Sequence, residues 1–182
     1  MDFFKGAKGS WIWLVIRLFV GYQWLKPAWG KLTGAAPFDA TGYLKGAAAK
    51  IIPAATLTPE QLKAFKPITA TWWGEFLNAF AIPNAKLFNL LIPYGEFLVG
   101  LALILGFATI FAASMGILMN FAFLMSGSTS SNPYMLVLSF IIIALGSAHA
   151  GYLGVDFWFR PWFRKLLKLD APAAAGAPRA AA

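Results

Sequence analysis

The chain has 182 residues, of which 59% are hydrophobic and 12% charged, and it carries a formal charge of +8, with a mean hydropathy of +0.66. That balance excludes an ordinary soluble domain and points to an all-α polytopic membrane protein, one bundle of a few helices. The lack of cysteine and the single histidine exclude disulfides, thiolate-held clusters, cysteine-ligated metals and a bis-histidine haem, so neither metal nor haem is expected.

Residues 1–10 form a short basic tail. It resembles the start of a signal peptide, but the apolar run after it is long, contains Arg17 and lacks a small-residue cleavage site, so it reads as a retained helix. That first helix runs from about Trp11 to Leu32, roughly 30 Å at the α-helical rise, with Pro27 inside its outer end. An arginine on a bare membrane helix costs about 2.5–3.5 kcal/mol, so Arg17 is expected to face the interior, where a partner can hold it. From Thr33 to Pro83 the hydropathy falls into a long extramembrane loop. Within it, Thr58-Pro59-Glu60-Gln61 predicts a helix start, and Leu62, Phe65, Trp72, Trp73, Phe76, Leu77 and Phe80 give that helix an aromatic surface, bent near Pro67.

A second helix is predicted over Ala85–Leu105, with Glu96 inside it, and a third over Phe107–Met125 after a tight turn at Gly106. On the third, Ala112, Gly116 and Asn120 share one face and predict a close-packing edge. A polar turn, Ser126–Pro133, leads to a fourth helix, Tyr134–Tyr152, which carries the only histidine, His149. Residues 1–160 thus read as a four-helix transmembrane bundle. Residues 161–182 read as a basic interfacial foot, begun by the segment FWFRPWFRKLLK, and an Ala/Pro-rich disordered tail. Basic residues near the ends, Lys5, Lys8, Arg160, Arg164, Lys165 and Lys168, place both termini in the cytoplasm and the chain in the inner membrane. Because they sit beside hydrophobic spans, anionic lipid headgroups rather than nucleic acid are the expected partners.

Depth follows from the helix rise. Arg17, Glu96 and His149 fall about 9, 14 and 5 Å from the cytoplasmic ends of their helices. Glu96 is then the natural partner for Arg17, since a buried guanidinium needs a carboxylate or several carbonyls. On the first helix Arg17, Gly21, Trp24, Ala28 and Lys31 lie within about 80° of arc, so one face offers two cations, a glycine gap and an indole on which a flat ring could stack. Asn120, Trp24 and Lys31 are expected progressively nearer the outer mouth. Each residue has a plainer reading. The Arg17–Glu96 pair can be a structural staple, His149 can make a local hydrogen bond near a helix end, and Lys31 can snorkel.

The order Arg17-Leu18, Gly21, Trp29-Gly30-Lys31-Leu32, Gly95-Glu96 and Val99-Gly100-Leu101-Ala102-Leu103 to Gly106 resembles the DoxX/DoxD membrane proteins. The longer first loop and Gly21-Tyr22-Gln23-Trp24-Leu25 are more similar to the DoxD branch, a subunit of thiosulfate:quinone oxidoreductase. The resemblance implies a four-helix bundle, thiosulfate as donor, membrane quinone as acceptor and a second subunit, with Arg17, Lys31 and Glu96 carrying the family pattern. Two functions are therefore carried forward. In the first, quinone is reduced with Arg17, Glu96 and His149 as catalytic groups and Trp24, Lys31 and Asn120 as binding groups. In the second, the chain is a non-catalytic anchor for a larger respiratory or photosynthetic complex.

Overall fold

The computed structural model describes residues 9–51, 58–60, 71–146 and 149–167. Among these every regular element is helical and no strand occurs, in agreement with the all-α reading. The helices are α1 Ser10–Thr33, α2 Thr41–Ala49, α3 Thr71–Phe76, α4 Ala85–Leu105, α5 Thr109–Met125, α6 Asn132–Gly146 and α7 Asp156–Leu166, with α3 continuing into a π-helical turn, Leu77–Ala81. Helix α1 packs on α4 and α6, and α5 packs on α4 and α6. Their shared core contains Trp13, Val20, Trp24, Leu103, Ala113 and Ile142. A second core, built from Ala40, Leu44, Ala47, Leu77, Ala81 and Ile92, joins α2 and the π turn to α4.

The α1–α4 contact is the closest in the bundle for a sequence reason. A Cβ placed on Gly21 would stand 2.9 Å from the Gly100 carbonyl oxygen, and one on Gly100 would stand 2.8 Å from the Gly21 oxygen and the Leu25 nitrogen. Only glycine at both positions lets the two backbones touch. The expected packing edge of α5 is likewise buried, at Ala112, Gly116 and Asn120. There a Cβ on Gly116 would meet the Trp24 indole nitrogen at 3.2 Å and Val99 Cγ1 at 3.4 Å.

Among the described residues only α4 is long and apolar enough to cross a membrane by length and composition. Helices α5 and α6 are apolar but have 17 and 15 residues. Helix α1 has 24, and Arg17, Gln23, Lys26 and Lys31 lower its hydropathy. The surface is inverted relative to a soluble bundle. Arg17, Glu96, Asn120 and Ser139 are buried, while Trp11, Val15, Leu98, Phe111, Leu118 and Phe140 stand exposed.

Several boundaries differ from the sequence reading. The stretch predicted as a loop holds α2, which was not expected, and α3, which falls where the loop's helix was predicted. Of the helix predicted from Thr58, Pro59 and Glu60 are helical, while Leu62, Phe65 and Pro67 lie outside the described residues, as do the basic tail through residue 8 and the Ala/Pro tail from 168. Trp72, Trp73 and Phe76 fall in α3, and Leu77 and Phe80 in the π turn. Helix α6 ends at Gly146, short of the predicted Tyr152, and the chain turns there: a Cβ on Gly146 would stand 2.9 Å from that of Ala150 and 3.1 Å from the Trp13 ring. The predicted division at residue 160 falls inside α7, which begins at Asp156 and packs Phe159 on Phe107 with tilted rings whose centroids are 4.7 Å apart. The basic foot is therefore an integral part of the bundle's end.

Candidate functional site

The buried charges pair differently from the sequence expectation. Arg17 does not meet Glu96. Its Nη1 donates to the Ala150 carbonyl at 2.8 Å and its Nη2 to the Leu153 carbonyl at 2.7 Å, with the Asp156 carboxylate acting on it electrostatically. Glu96 instead accepts from Lys31, whose Nζ stands 2.5 Å from Oε1 and 2.6 Å from Oε2. The reason is register, helped by the tilt of side chains toward a helix's own N-terminus. Helices α1 and α4 run antiparallel with Gly21 and Leu25 against Gly100 and Ile104, which sets Glu96 about three residues from the level of Lys31 and about eleven from that of Arg17. Lys31 and Glu96 also lean toward each other, whereas Arg17 leans away, beside Gly106. Depth counted from helix ends assumed level gives the wrong partner.

The Arg17 end is closed by a set of long-range contacts. Gly106, at φ 66°, caps α4 in the left-handed region, and Ala108 follows at φ 45°. Any Cβ at Gly106 would run into the Arg17 guanidinium. Asp156 fills the role of a helix cap from a distance. Its Oδ1 accepts from the Ala108 N–H at 2.7 Å and its Oδ2 from the Thr109 N–H at 2.9 Å, while its own N–H donates to the Gly106 carbonyl at 2.7 Å.

The Lys31 end is open. The Glu96 side chain is 3% exposed and that of Lys31 26%, so the carboxylate is walled in while the ammonium reaches a cavity. Lys31 Nζ also lies 5.4 Å from the centroid of the Phe38 ring. The cavity has a volume of about 240 Å³; Trp24, Lys31, Tyr43, Glu96 and Asn132 contribute to its walls. Part of its lining is the serine-rich α5–α6 turn, where Gly127 at φ 76° and Ser130 at φ 26° set the backbone in the left-handed region. Tyr43, Ile92 and Phe123 are shared with a second, wholly apolar groove of about 610 Å³ that runs along α4 and α5 past Phe88, Leu98 and Phe111. Tyr43 thus stands at the junction, its ring edge-on to Phe123 at 6.2 Å. Burial pushes its hydroxyl pKa up, Ser126 partly opposes this as a hydrogen-bond partner, and the Glu96 charge adds to the rise.

Of the six residues singled out from the sequence, Trp24, Lys31 and Glu96 come together at this cavity. Asn120 is fully buried on the α5 face that carries Gly116, its amide makes no hydrogen bond among the described residues, and it lines neither cavity. Arg17 and His149 lie at the opposite end, Arg17 some 21 Å along α1 from Lys31 by the helix rise. His149 follows α6 and packs on Tyr152 with centroids 5.9 Å apart. Tyr43 and Phe38 carried no sequence signal, and the serine turn was read only as a turn; each reaches the cavity through packing of the fold. Comparisons with family models, curated proteins and solved structures return no match.

Proposed function

We propose that the chain is a multi-pass inner-membrane protein whose α1, α4, α5 and α6 form a four-helix transmembrane bundle, and that it reduces membrane quinone as a subunit of a thiosulfate:quinone oxidoreductase-like enzyme. The inverted surface supports the first part, because exposed Leu98 and Leu118 on successive helices suit lipid, whereas Arg17, Glu96 and Asn120 are held inside. With both termini cytoplasmic, the Arg17 end faces the cytoplasm and the Lys31–Glu96 cavity opens toward the outer face.

The observation that carries the quinone reading is the junction of two unlike spaces. A small polar cavity with a buried ion pair adjoins a long apolar groove, through Tyr43, Ile92 and Phe123. That is the shape of a polar ring with an isoprenoid tail. In the cavity the Lys31 ammonium donates to a quinone carbonyl and stabilises the oxyanion that develops on reduction. Glu96, released from Lys31 as that contact forms, is the group through which a proton passes to the ring, with the Tyr43 hydroxyl nearby as a further donor. The reaction needs two electrons and two protons per quinone. Two thiosulfate dianions joined by a new sulfur–sulfur bond release the two electrons, and Lys31 and Lys26 draw those anions to the outer mouth. Since the ion pair lies at the outer end, the protons enter from that side, and Arg17 and His149 take no part in the chemistry.

The test uses the purified full chain in detergent, with thiosulfate and a short-chain quinone, with and without proteins that co-purify. Quinol formation that disappears in Lys31→Met is the expected result. No quinol under either condition overturns the catalytic reading, and release of the chain from membranes by alkaline carbonate overturns the multi-pass one.

A further inference from the structure

Helix α7 separates its residues by chemistry around its circumference. At 100° per residue, Trp158, Trp162, Leu166, Phe159 and Phe163 follow one another over about 140° of arc, Arg160 and Arg164 take the other side, and Lys165 borders the apolar arc beside Trp158. Phe159 docks on Phe107, but the remainder of the apolar arc is uncovered, with Trp158 72% and Trp162 58% exposed. Exposed indoles beside a basic edge are what a helix lying in a membrane interface presents. Where that basic edge meets the turn after α6 there is a cavity of about 460 Å³, lined in part by His149, Tyr152, Phe157, Arg160 and Arg164. The one carboxylate in its wall among the described residues, Asp156, has both oxygens engaged by Ala108 and Thr109. His149 contributes its ring to the wall, while its Nδ1 is buried away from solvent and makes no hydrogen bond among the described residues. The chemistry facing the cavity is therefore cationic and donor-rich. Both arginines already have an interaction partner, and the five N–H donors of a guanidinium allow an anion to be added as a further acceptor.

We propose that this cavity is a specific site for the phosphodiester of an anionic phospholipid, with the α7 indoles sunk beside its acyl chains. A phosphodiester matches the forked donors of Arg160 and Arg164, which grip planar or tetrahedral oxyanions in a way that a lysine does not. The inference rests on the membrane reading above, and it is independent of the quinone chemistry, because the site lies at the opposite end of the bundle.

The experiment is a thermal-shift titration of the full chain in neutral detergent with short-chain phosphatidylglycerol, phosphatidylcholine or inorganic phosphate. Phosphatidylglycerol alone is expected to raise the melting temperature. In R160Q/R164Q the lipid concentration at half-effect is expected to rise on the order of tenfold. Lys165→Gln, beside Trp158 at the border of the apolar arc, is expected to leave it unchanged. An equal response to phosphatidylcholine, or to inorganic phosphate, overturns the proposal in favour of non-selective lipid uptake or a free-anion site. So does an equal loss in Lys165→Gln. If R160Q/R164Q does not fold, R160K/R164K preserves the charge and is expected to weaken binding severalfold; undiminished binding there overturns the site in favour of general electrostatics. A chain that does not partition into detergent at all fails the membrane reading itself, whereas one that partitions without discriminating headgroups fails only this inference.

Discussion

The two ends of helix α1 each carry one cation toward the interior, and they use it in opposite ways. At the Arg17 end the guanidinium is surrounded by groups with nothing left to exchange: two backbone carbonyls hold it, and Asp156 is occupied in capping α5. At the Lys31 end the partner is a carboxylate that can change protonation, and the ammonium is a quarter exposed beside a cavity. A charge held by carbonyls is a fastener. A charge held by a titratable group beside a cavity is, on the proposed function, a reagent. On that reading the two ends differ in the partner of the charge rather than in its burial.

The largest expected effect breaks the fastener. Arg17→Met leaves the Ala150 and Leu153 carbonyls without their donor and Asp156 without its compensating charge, and should cost about 3–5 kcal/mol. Arg17→Lys should recover little, since one ammonium cannot span both carbonyls as the fork does. Thermal unfolding in detergent measures it, and quinone binding should fall only as far as the folded fraction does.

At the other end the contrast should invert. Glu96→Gln and Lys31→Met should each lower quinol formation on the order of a hundredfold or more. They should destabilise less than Arg17→Met, because Lys31 can turn toward solvent and a lone Glu96 can take up a proton. Lys31→Met with Glu96→Gln should regain the lost stability and remain inactive. A double variant that regains activity with its fold would make this pair a second fastener.

A smaller effect couples both ends. Gly100→Ala places a methyl against the Gly21 carbonyl at 2.8 Å and should cost about 1–3 kcal/mol by prising α4 from α1. Both Lys31–Glu96 and Arg17–Leu153 depend on that spacing, so stability and quinone affinity should fall together. The smallest effect is confined to the open end. Asp39 accepts from the Thr41 N–H at 3.0 Å and from its hydroxyl at 2.7 Å at the start of α2. The Thr41 N–H, first among its causes, holds the Asp39 carboxyl below the usual carboxylate range. A folded pKa below the unfolded one means that its contribution is present above the unfolded value and is lost as pH falls through the folded value. A melting curve followed below about pH 5 should therefore show a slight loss that Asp39→Ala abolishes.

The fold was legible where apolar runs are long and punctuated by glycine. Ala85–Leu105 was readable to its ends because Gly106 stops an unbroken run, and Ala112, Gly116 and Asn120 declared a packing face by spacing alone. The end of α6 was not, although Gly146 stands at it, because the residues as far as Tyr152 include no proline and could continue a helix. Tertiary contacts accompany the end: Trp13 lies against Gly146, and Arg17 holds the Ala150 and Leu153 carbonyls. The site was half legible. Trp24, Lys31 and Glu96 come together at one cavity, as polar or aromatic residues conspicuous on apolar helices, whereas Arg17 and His149, grouped with them by depth, lie at the opposite end. Tyr43 sits in an Ala/Gly-rich stretch with no periodic signal, and only the fold of α2 onto α4 brings it to the cavity.

Asp156 also sets a chronology. The N-terminus of α5 has no local side-chain cap, and the groups that complete it arrive from 47 and 48 residues downstream. During synthesis α5 therefore emerges with bare N–H groups that only water or headgroups can satisfy until α6 and the start of α7 have followed. The Arg17 carbonyl partners arrive in the same late segment. The bundle is thus latched at this end by the segment that follows α6, and α1 waits for that segment before Arg17 has its two carbonyls.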